Sequence, residues 1–173
     1  MQRIVLTIGH STHPIGEFVK ILEAHGVDLL ADVRTIPRSR HNPQFNGDAL
    51  QASLAEVEMR YVPMPGLGGL RHARPDSPHT AWRNASFRGY AGYMQTDQFR
   101  ENLERLIDLA QQTQIVMMCA EAVPWRCHRS LIADALLVRR IPVEHIMTAT
   151  SSRPHKLTPF ARISGNQIIY DAA

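Results

Sequence analysis

The residues best suited to chemistry lie between positions 119 and 129, directly after an apolar run that is typical of a buried strand. Both cysteines of the chain, Cys119 and Cys127, fall in this segment. A carboxylate, an imidazole and two guanidinium groups accompany the thiols, supplied by Glu121, His128, Arg126 and Arg129. Thiols beside cationic and titratable groups can act as nucleophiles, because such neighbours stabilise the thiolate and move protons. We therefore expect this segment to form part of an active site.

The two thiols differ in their predicted surroundings. Cys127 lies about one turn before Leu131, near the N-terminus of a predicted helix, where the dipole and flanking cations lower a thiol pKa. Cys119 ends an apolar strand, where a cysteine is most often a small hydrophobic residue. We predict that Cys127 is the reactive thiol and is alkylated before Cys119. The alternative is that partial burial leaves Cys127 inert.

Proton transfer would fall to Glu121 and to two imidazoles. Pro124 prevents ordinary helix formation after Glu121, which leaves its carboxylate in a loop at the edge of the predicted sheet. Glu121 is the best candidate acid or base, and an ion pair with Arg129 or Arg34 is the alternative. The candidate imidazoles are those of His10 and His128. The histidines without a spacing signal are assigned to the surface: His25, His72, His79 and His155.

Apolar runs alternate along the chain with segments of helical periodicity. Five runs are predicted strands, at residues 4–8, 28–34, 60–64, 115–119 and 142–147. Predicted helices lie around residues 15–25, 50–57, 96–110 and 127–139, and a long loop extends to about residue 94. Gly165-Asn166 predicts a hairpin. We predict a single α/β domain over residues 1–173, a Rossmann-like three-layer sandwich with about five mostly parallel strands and a C-terminal extended or hairpin segment.

The candidate residues follow three different predicted strands. In parallel sheets, ligands bind outside the carboxyl ends of the strands. His10 and Ser11 follow the first strand, Asp32 and Arg34 end the second, and the fourth leads into residues 119–129. We therefore predict that these groups converge in one pocket at that edge of the sheet.

The charge distribution leaves two kinds of partner open. The net charge of +3 and the pI of about 9.2 are mild, but arginines concentrate in residues 33–47 and 59–96. These arginines could bind a small anionic ligand or a nucleic acid, or could form a solvated rim that balances neighbouring acids. A nucleic acid would also need stacking surfaces, for which the candidates are Trp82, Phe87 and Tyr90. The sequence does not indicate an oligomeric state.

Hydropathy argues against a membrane partner. No run of about 18 or more apolar residues occurs. The first residues lack the charged region, the apolar region and the cleavage site of a signal peptide. We therefore expect a cytoplasmic protein.

Known catalytic signatures fit the segment incompletely. The phosphatase loop requires arginine six positions after its cysteine, but Trp125 stands six positions after Cys119, and arginine is also missing six positions after Cys127. A zinc site could draw on Cys119, Cys127, His128 and His10, but a spacing of eight between the cysteines lacks the usual paired pattern. We therefore predict no metal site, and the sequence identifies no cofactor.

Five short motifs occur in order along the chain. They are TIGHS at 7–11, DVR at 32–34, LGG at 67–69, CAE at 119–121 and CHR at 127–129. In these motifs the chain resembles domain-of-unknown-function family 488, and the resemblance extends over essentially its whole length. The resemblance implies a compact α/β domain with this polar set as its site, and it implies no particular reaction.

These features favour a small enzyme of the hydrolase or transferase type that acts on an anionic substrate, with nucleotides and nucleobase-containing molecules as candidates. The catalytic candidates are Glu121, Cys127, Cys119, His128 and His10. The candidates for substrate binding are Ser11, Asp32, Arg34 and Arg129. The alternative is a non-catalytic nucleic-acid-binding domain that uses the arginine-rich loops.

Overall fold

A six-stranded sheet forms the centre of the molecule. In the computed structural model, which describes residues 4–171, the strands are β1 (Val5–Gly9), β2 (Leu29–Asp32), β3 (Arg60–Pro63), β4 (Ile115–Cys119), β5 (Val143–Thr148) and β6 (Ser151–Pro154). Their order across the sheet is β3-β2-β4-β1-β5-β6. Strands β1 to β5 are parallel, and β6 pairs antiparallel with β5. The predicted α/β fold with a mostly parallel sheet is confirmed.

Helices cover both faces of this sheet. They are α1 (Ile15–Ala24), α2 (Gly47–Ala55), α3 (Ala85–Tyr93), α4 (Asp97–Gln112) and α5 (Arg129–Val138). Helices α1 and α2 pack with one set of strand side chains, and α3, α4 and α5 pack with the alternate set. Successive side chains of a strand point to opposite faces, so the two apolar clusters form the outer interfaces of a three-layer sandwich. None of the helices within residues 4–171 is both long and apolar enough to cross a membrane.

Helix α3 lies in the segment that the sequence predicted to be a loop. The side chain of Asn84 begins the helix by accepting hydrogen bonds from two backbone N–H groups of its first turn. Gly89 and Gly92 lower the helical propensity and conceal the helix in the sequence. Gly89 is needed there, because a Cβ atom at this position would meet the main-chain oxygen of Arg71 at 2.3 Å.

The chain ends with two short antiparallel pairings. Strand β6 was not predicted, because residues 151–154 are polar and lie at the exposed edge of the sheet. The predicted hairpin is confirmed as β7 (Arg162–Ser164) and β8 (Gln167–Ile169). Gly165 occupies its turn with φ +62°, a backbone conformation that glycine adopts without a steric cost.

The end of β1 packs backbone to backbone against the segment that follows β4. The backbone N–H of His10 donates to the carbonyl of Cys119 at 2.9 Å, and that of Ser11 donates to the carbonyl of Ala120 at 3.0 Å. A Cβ atom at Gly9 would overlap the carbonyl group of Glu121. The absence of a side chain at Gly9 therefore allows the loops that follow β1 and β4 to pack against each other.

This packing predicts that Gly9→Ala is destabilising. We expect the free energy of unfolding to fall by about 1–3 kcal/mol, the usual cost of overpacking. Gly16→Ala in α1 is the control, because a Cβ atom there meets no other atom within 4 Å. The control should leave stability unchanged or raise it by up to about 1 kcal/mol. Urea denaturation compares the two variants, and equal midpoints would contradict the close approach at Gly9.

Candidate functional site

A cleft of about 370 Å³ opens where β2 and β4 end, and we call it the thiol cleft. Five residues selected from the sequence line it: Arg34, Cys119, Glu121, Cys127 and His128. Its wall also contains the cationic Arg38 and Arg126. Ile36 and Leu70 add apolar surface and are 59% and 70% exposed. The cleft therefore combines thiols, positive charge and exposed apolar groups, which suits a small ligand with an acidic part.

Arg129, the first residue of α5, is fully buried behind the thiol cleft. Its Nη1 lies 2.7 Å from Sγ of Cys119, and its Nε donates to Oγ1 of Thr7 at 3.2 Å. The guanidinium also donates to the main-chain carbonyls of Glu121 and Ala122. Among residues 4–171, no carboxylate forms an ion pair with Arg129. Its closest ionisable partner is therefore the Cys119 thiol.

This arrangement makes Cys119 the more acidic thiol. Burial alone would raise the pKa of Cys119, but a hydrogen bond from the Cys127 thiol and the charge of Arg129 outweigh burial and lower the pKa to about 7. The same hydrogen bond, together with burial, raises the pKa of Cys127 well above its usual value. The prediction that Cys127 has the lowered pKa is therefore wrong. The physical reason is that the Arg129 guanidinium contacts the sulfur of Cys119, whereas the sulfur of Cys127 is contacted by the Arg129 backbone N–H, at 3.5 Å.

His128 lies beside the thiol pair as a neutral imidazole. Its Nε2 donates to the carbonyl of Val33 at 2.8 Å, which leaves Nδ1 without a proton, 3.5 Å from Sγ of Cys127. Burial is the main cause that lowers the pKa of His128 to about 4. A Cβ atom at Gly69 would come within 2.6 Å of this Nδ1. The second glycine of the LGG motif thus makes room for the imidazole.

Arg34 reaches the thiol cleft but is held by protein groups. Asp32 binds it through two parallel hydrogen bonds, Nε to Oδ1 at 2.8 Å and Nη2 to Oδ2 at 2.7 Å. The main-chain carbonyl of Phe45 accepts a third hydrogen bond at 2.7 Å. Asp32 also accepts a hydrogen bond from the hydroxyl of Tyr61 at 2.7 Å. Asp32 is therefore buried as the partner of Arg34 and does not line the cleft.

His10 and Ser11 lie beside the ion pair of Asp32 and Arg34 and do not line the thiol cleft. The ring of His10 stacks on Phe45 at a centroid distance of 4.3 Å, and its Nε2 lies 3.5 Å from Nη1 of Arg34. Burial lowers the pKa of His10. Ser11 adopts a left-handed conformation with φ 47°, and its carbonyl interacts with Nδ1 of His10 at 2.8 Å. Both residues shape the loop after β1.

Several sequence-based assignments are corrected by burial and contacts. Glu121 is exposed at the rim, and its carboxylate accepts the backbone N–H of Val123 at 3.3 Å, so the alternative of an ion pair with Arg129 or Arg34 is not observed. Arg129 was expected to bind substrate, but it is fully buried and its side chain donates to protein groups. The remaining corrections concern residues expected at the surface that are buried or nearly so: Tyr90, His79 and His155.

A cluster of buried polar side chains that the sequence analysis did not select lies behind Arg129. Thr7, Asp134 and His145 are buried polar side chains, and His155 joins them. Thr7 and His145 face each other on the adjacent strands β1 and β5. The sequence does contain a signal for two of them, because Thr7 and His145 are polar residues inside apolar predicted strands. Within residues 4–171, no group of three or more His, Cys, Asp or Glu side chains has the arrangement to hold a metal ion.

Comparison with known proteins gives one match. A family model described as "Domain of unknown function DUF488" matches residues 14–136. No curated protein and no solved structure matches the chain. The matched region includes the thiol pair, Arg34 and Arg129, whereas Thr7, His10 and His145 lie outside it.

The buried pair of Asp32 and Arg34 predicts a large effect of Asp32→Asn. The substitution leaves a buried guanidinium without its counter-charge, so the free energy of unfolding should fall by about 3–5 kcal/mol. Asp76→Asn is the matched control, because Asp76 pairs with Arg74 where the two side chains are 73% and 82% exposed. The control should change stability by less than about 1 kcal/mol. Urea denaturation measures both, and a small loss for Asp32→Asn would contradict the buried pairing.

Proposed function

Because the chain belongs to the DUF488 family, whose description names no reaction, we propose a function from the chemistry of the thiol cleft. The protein is a thiol-dependent enzyme of the hydrolase or transferase type. Cys119 is its nucleophile. The substrate is an anionic molecule, such as a nucleotide, bound in the thiol cleft.

The observation that carries this proposal is the contact between Arg129 and Cys119. Burying a charge without a counter-charge is costly, by several kcal/mol even after relaxation. Arg129 is fully buried, and its closest ionisable partner is the Cys119 sulfur at 2.7 Å. A thiolate at Cys119 compensates the guanidinium charge, so the ionised form of the thiol is favoured at neutral pH. A thiolate is the form of cysteine that attacks electrophiles.

The neighbouring groups have roles that fit this nucleophile. Attack by the Cys119 thiolate on an electrophilic centre forms a bond from sulfur to the transferred group and breaks the bond to the leaving group. The Cys127 thiol hydrogen bonds to Cys119 and holds the thiolate before attack. The leaving group takes its proton from water, and the Glu121 carboxylate at the rim takes the proton of the water or acceptor that attacks the sulfur-bound group, which releases the product and restores the Cys119 thiolate.

Charge and shape at the rim indicate the class of substrate. Arg38 and Arg126 line the thiol cleft and form no ion pair with a carboxylate among residues 4–171. Guanidinium groups bind phosphate and carboxylate groups through paired donors. The exposed side chains of Ile36 and Leu70 offer apolar surface beside them. A molecule with an acidic group and a flat apolar part would contact both.

The alternative, nucleic-acid binding without catalysis, has less support. Tyr90 is fully buried, so it offers no face to a base. Trp82 and Phe87 pack edge to face against each other at a centroid distance of 4.9 Å. A domain that only binds phosphates also gains nothing from a buried thiolate. If the alternative holds, affinity for oligonucleotides will fall steeply as salt is raised, and replacing Cys119 will not change it.

Alkylation tests the nucleophile directly. We expect Cys119 to be labelled first, with a half-maximal rate near pH 7, because the thiolate fraction rises through its pKa of about 7. Cys119→Ser should abolish the fast labelling. Cys127→Ala should shift the half-maximal pH upward, because the hydrogen bond that stabilises the thiolate is lost. Peptide mapping by mass spectrometry identifies the labelled cysteine in each variant.

The proposal that the substrate is anionic is tested by comparing the rates of two alkylating reagents. Iodoacetate should react faster relative to iodoacetamide at Cys119 than at the thiol of free glutathione, because the cleft attracts negative charge. Arg126→Gln should reduce this preference without moving the half-maximal pH by much. Faster labelling of Cys127, or a half-maximal rate at the pH of an ordinary thiol, would overturn the assignment of Cys119. If the ratio of the iodoacetate rate to the iodoacetamide rate is the same at Cys119 as at glutathione, the proposal of an anionic substrate is overturned.

A further inference from the structure

A chain of hydrogen bonds runs through the interior from Arg129 to Asp134, both on α5. Nε of Arg129 lies 3.2 Å from Oγ1 of Thr7, and that hydroxyl lies 2.5 Å from Nδ1 of His145. Nε2 of His145 lies 2.9 Å from Nδ1 of His155. Nε2 of His155 lies 2.8 Å from Oδ1 of Asp134. Four links therefore connect a buried guanidinium with a buried carboxylate, and we call them the relay.

The two ends of the relay fix the direction of every link. An arginine side chain can only donate hydrogen bonds. Asp134 accepts bonds from the backbone N–H and hydroxyl of Thr158 and from the hydroxyl of Tyr170, in addition to His155, so it must act as an acceptor. Thr7 then accepts from Arg129, and the proton of its buried hydroxyl goes to Nδ1 of His145, the other group in hydrogen-bond contact with that hydroxyl.

The same logic fixes the tautomers of both imidazoles. Because Nδ1 of His145 accepts the Thr7 proton, its Nε2 carries hydrogen and donates to Nδ1 of His155. His155 in turn carries its hydrogen on Nε2 and donates to Asp134. Burial is the main cause that lowers the pKa of His145 to about 3, which keeps that ring neutral. All donors thus point from Arg129 towards Asp134.

We propose that Thr7, His145, His155 and Asp134 are positioning residues that hold the Arg129 guanidinium against the sulfur of Cys119. This inference rests on the proposed function, because it assigns the relay to the Cys119 thiolate. Arg129 has a long side chain, and its orientation is fixed by the acceptors around it. Thr7 is the acceptor for Nε, the nitrogen nearest the backbone, and Thr7 is itself oriented by His145. Loss of this acceptor allows the guanidinium to turn away from Cys119.

The charged and titratable groups near Cys119 come from several elements of the fold. Arg129 of α5 and Cys127 contact it. Arg34, Arg38, Glu121, Arg126 and His128 line the same cleft. Thr7 does not line the cleft and is not titratable, so a substitution there changes the thiol only through Arg129.

The test compares Thr7→Val with Thr7→Ser. Valine has nearly the shape of threonine and lacks the hydroxyl, so the half-maximal pH of Cys119 alkylation should rise by about one unit, the scale of one nearby charge. Serine keeps the hydroxyl and should restore the value of the native protein. This rescue separates the hydrogen bond from mere packing at Thr7.

Tyr170→Phe is the control for general loss of stability. The Tyr170 hydroxyl donates to Oδ2 of Asp134 at 2.8 Å in an equally buried place, but it lies on a branch that does not lead to Arg129. We expect this variant to melt at a lower temperature without a shift in the alkylation profile, because Tyr170 joins the relay only at Asp134, the end farthest from Arg129. A shift equal to that of Thr7→Val, or no shift in Thr7→Val, would overturn the relay and leave the Cys119 nucleophile standing.

A measurement on the native protein covers the case in which Thr7→Val does not fold. Long-range ¹H–¹⁵N spectra distinguish the two neutral tautomers of an imidazole. Both His145 and His155 should carry hydrogen on Nε2. Hydrogen on Nδ1 of either ring would break the direction of the relay and overturn the proposal. Failure of Cys119 to react at all would instead remove the proposed function.

Discussion

The burial of the Arg129 charge is the constraint on which the site depends. A fully buried guanidinium needs acceptors for its donors and a compensating charge. The acceptors are Thr7 of β1, the sulfur of Cys119 at the end of β4 and two main-chain carbonyls of the loop that follows β4. One side chain of α5 is therefore in contact with both β1 and the end of β4. Residues 119–122 supply three of these acceptors, so their conformation is tied to the position of Arg129.

The two buried arginines of the site are compensated in different ways. Arg34 meets the Asp32 carboxylate directly through two parallel hydrogen bonds. Arg129 has no such partner among residues 4–171, and the nearest carboxylate to which it is connected, that of Asp134, lies beyond three intervening side chains. The opposite charges of Asp32 and Arg34 neutralise each other, so this pair contributes mainly to stability. The Arg129 guanidinium instead places a positive charge beside a thiol, and the proposed function rests on that contact.

Sequence patterns predicted the framework better than the details of the site. The five parallel strands follow from apolar runs, and the meeting of residues 34, 119, 121, 127 and 128 in one cleft follows from the rule that ligands bind at strand ends. The choice between the two cysteines did not follow, because it depends on where the Arg129 side chain points. His155 was assigned to the surface because its spacing carries no signal, and the unpredicted pairing of β6 with β5 brings it beside His145. Glycines within α3 concealed that helix.

The two edges of the central sheet share a feature that limits how molecules can associate. Edge strands β3 and β6 have four residues each, and each ends in a proline, Pro63 and Pro154. Proline has no N–H group, so neither edge presents an uninterrupted row of donors to an incoming strand. Growth of the sheet from one molecule into the next is therefore discouraged at both sides. The same two prolines therefore protect the folded protein from aggregation through its sheet edges.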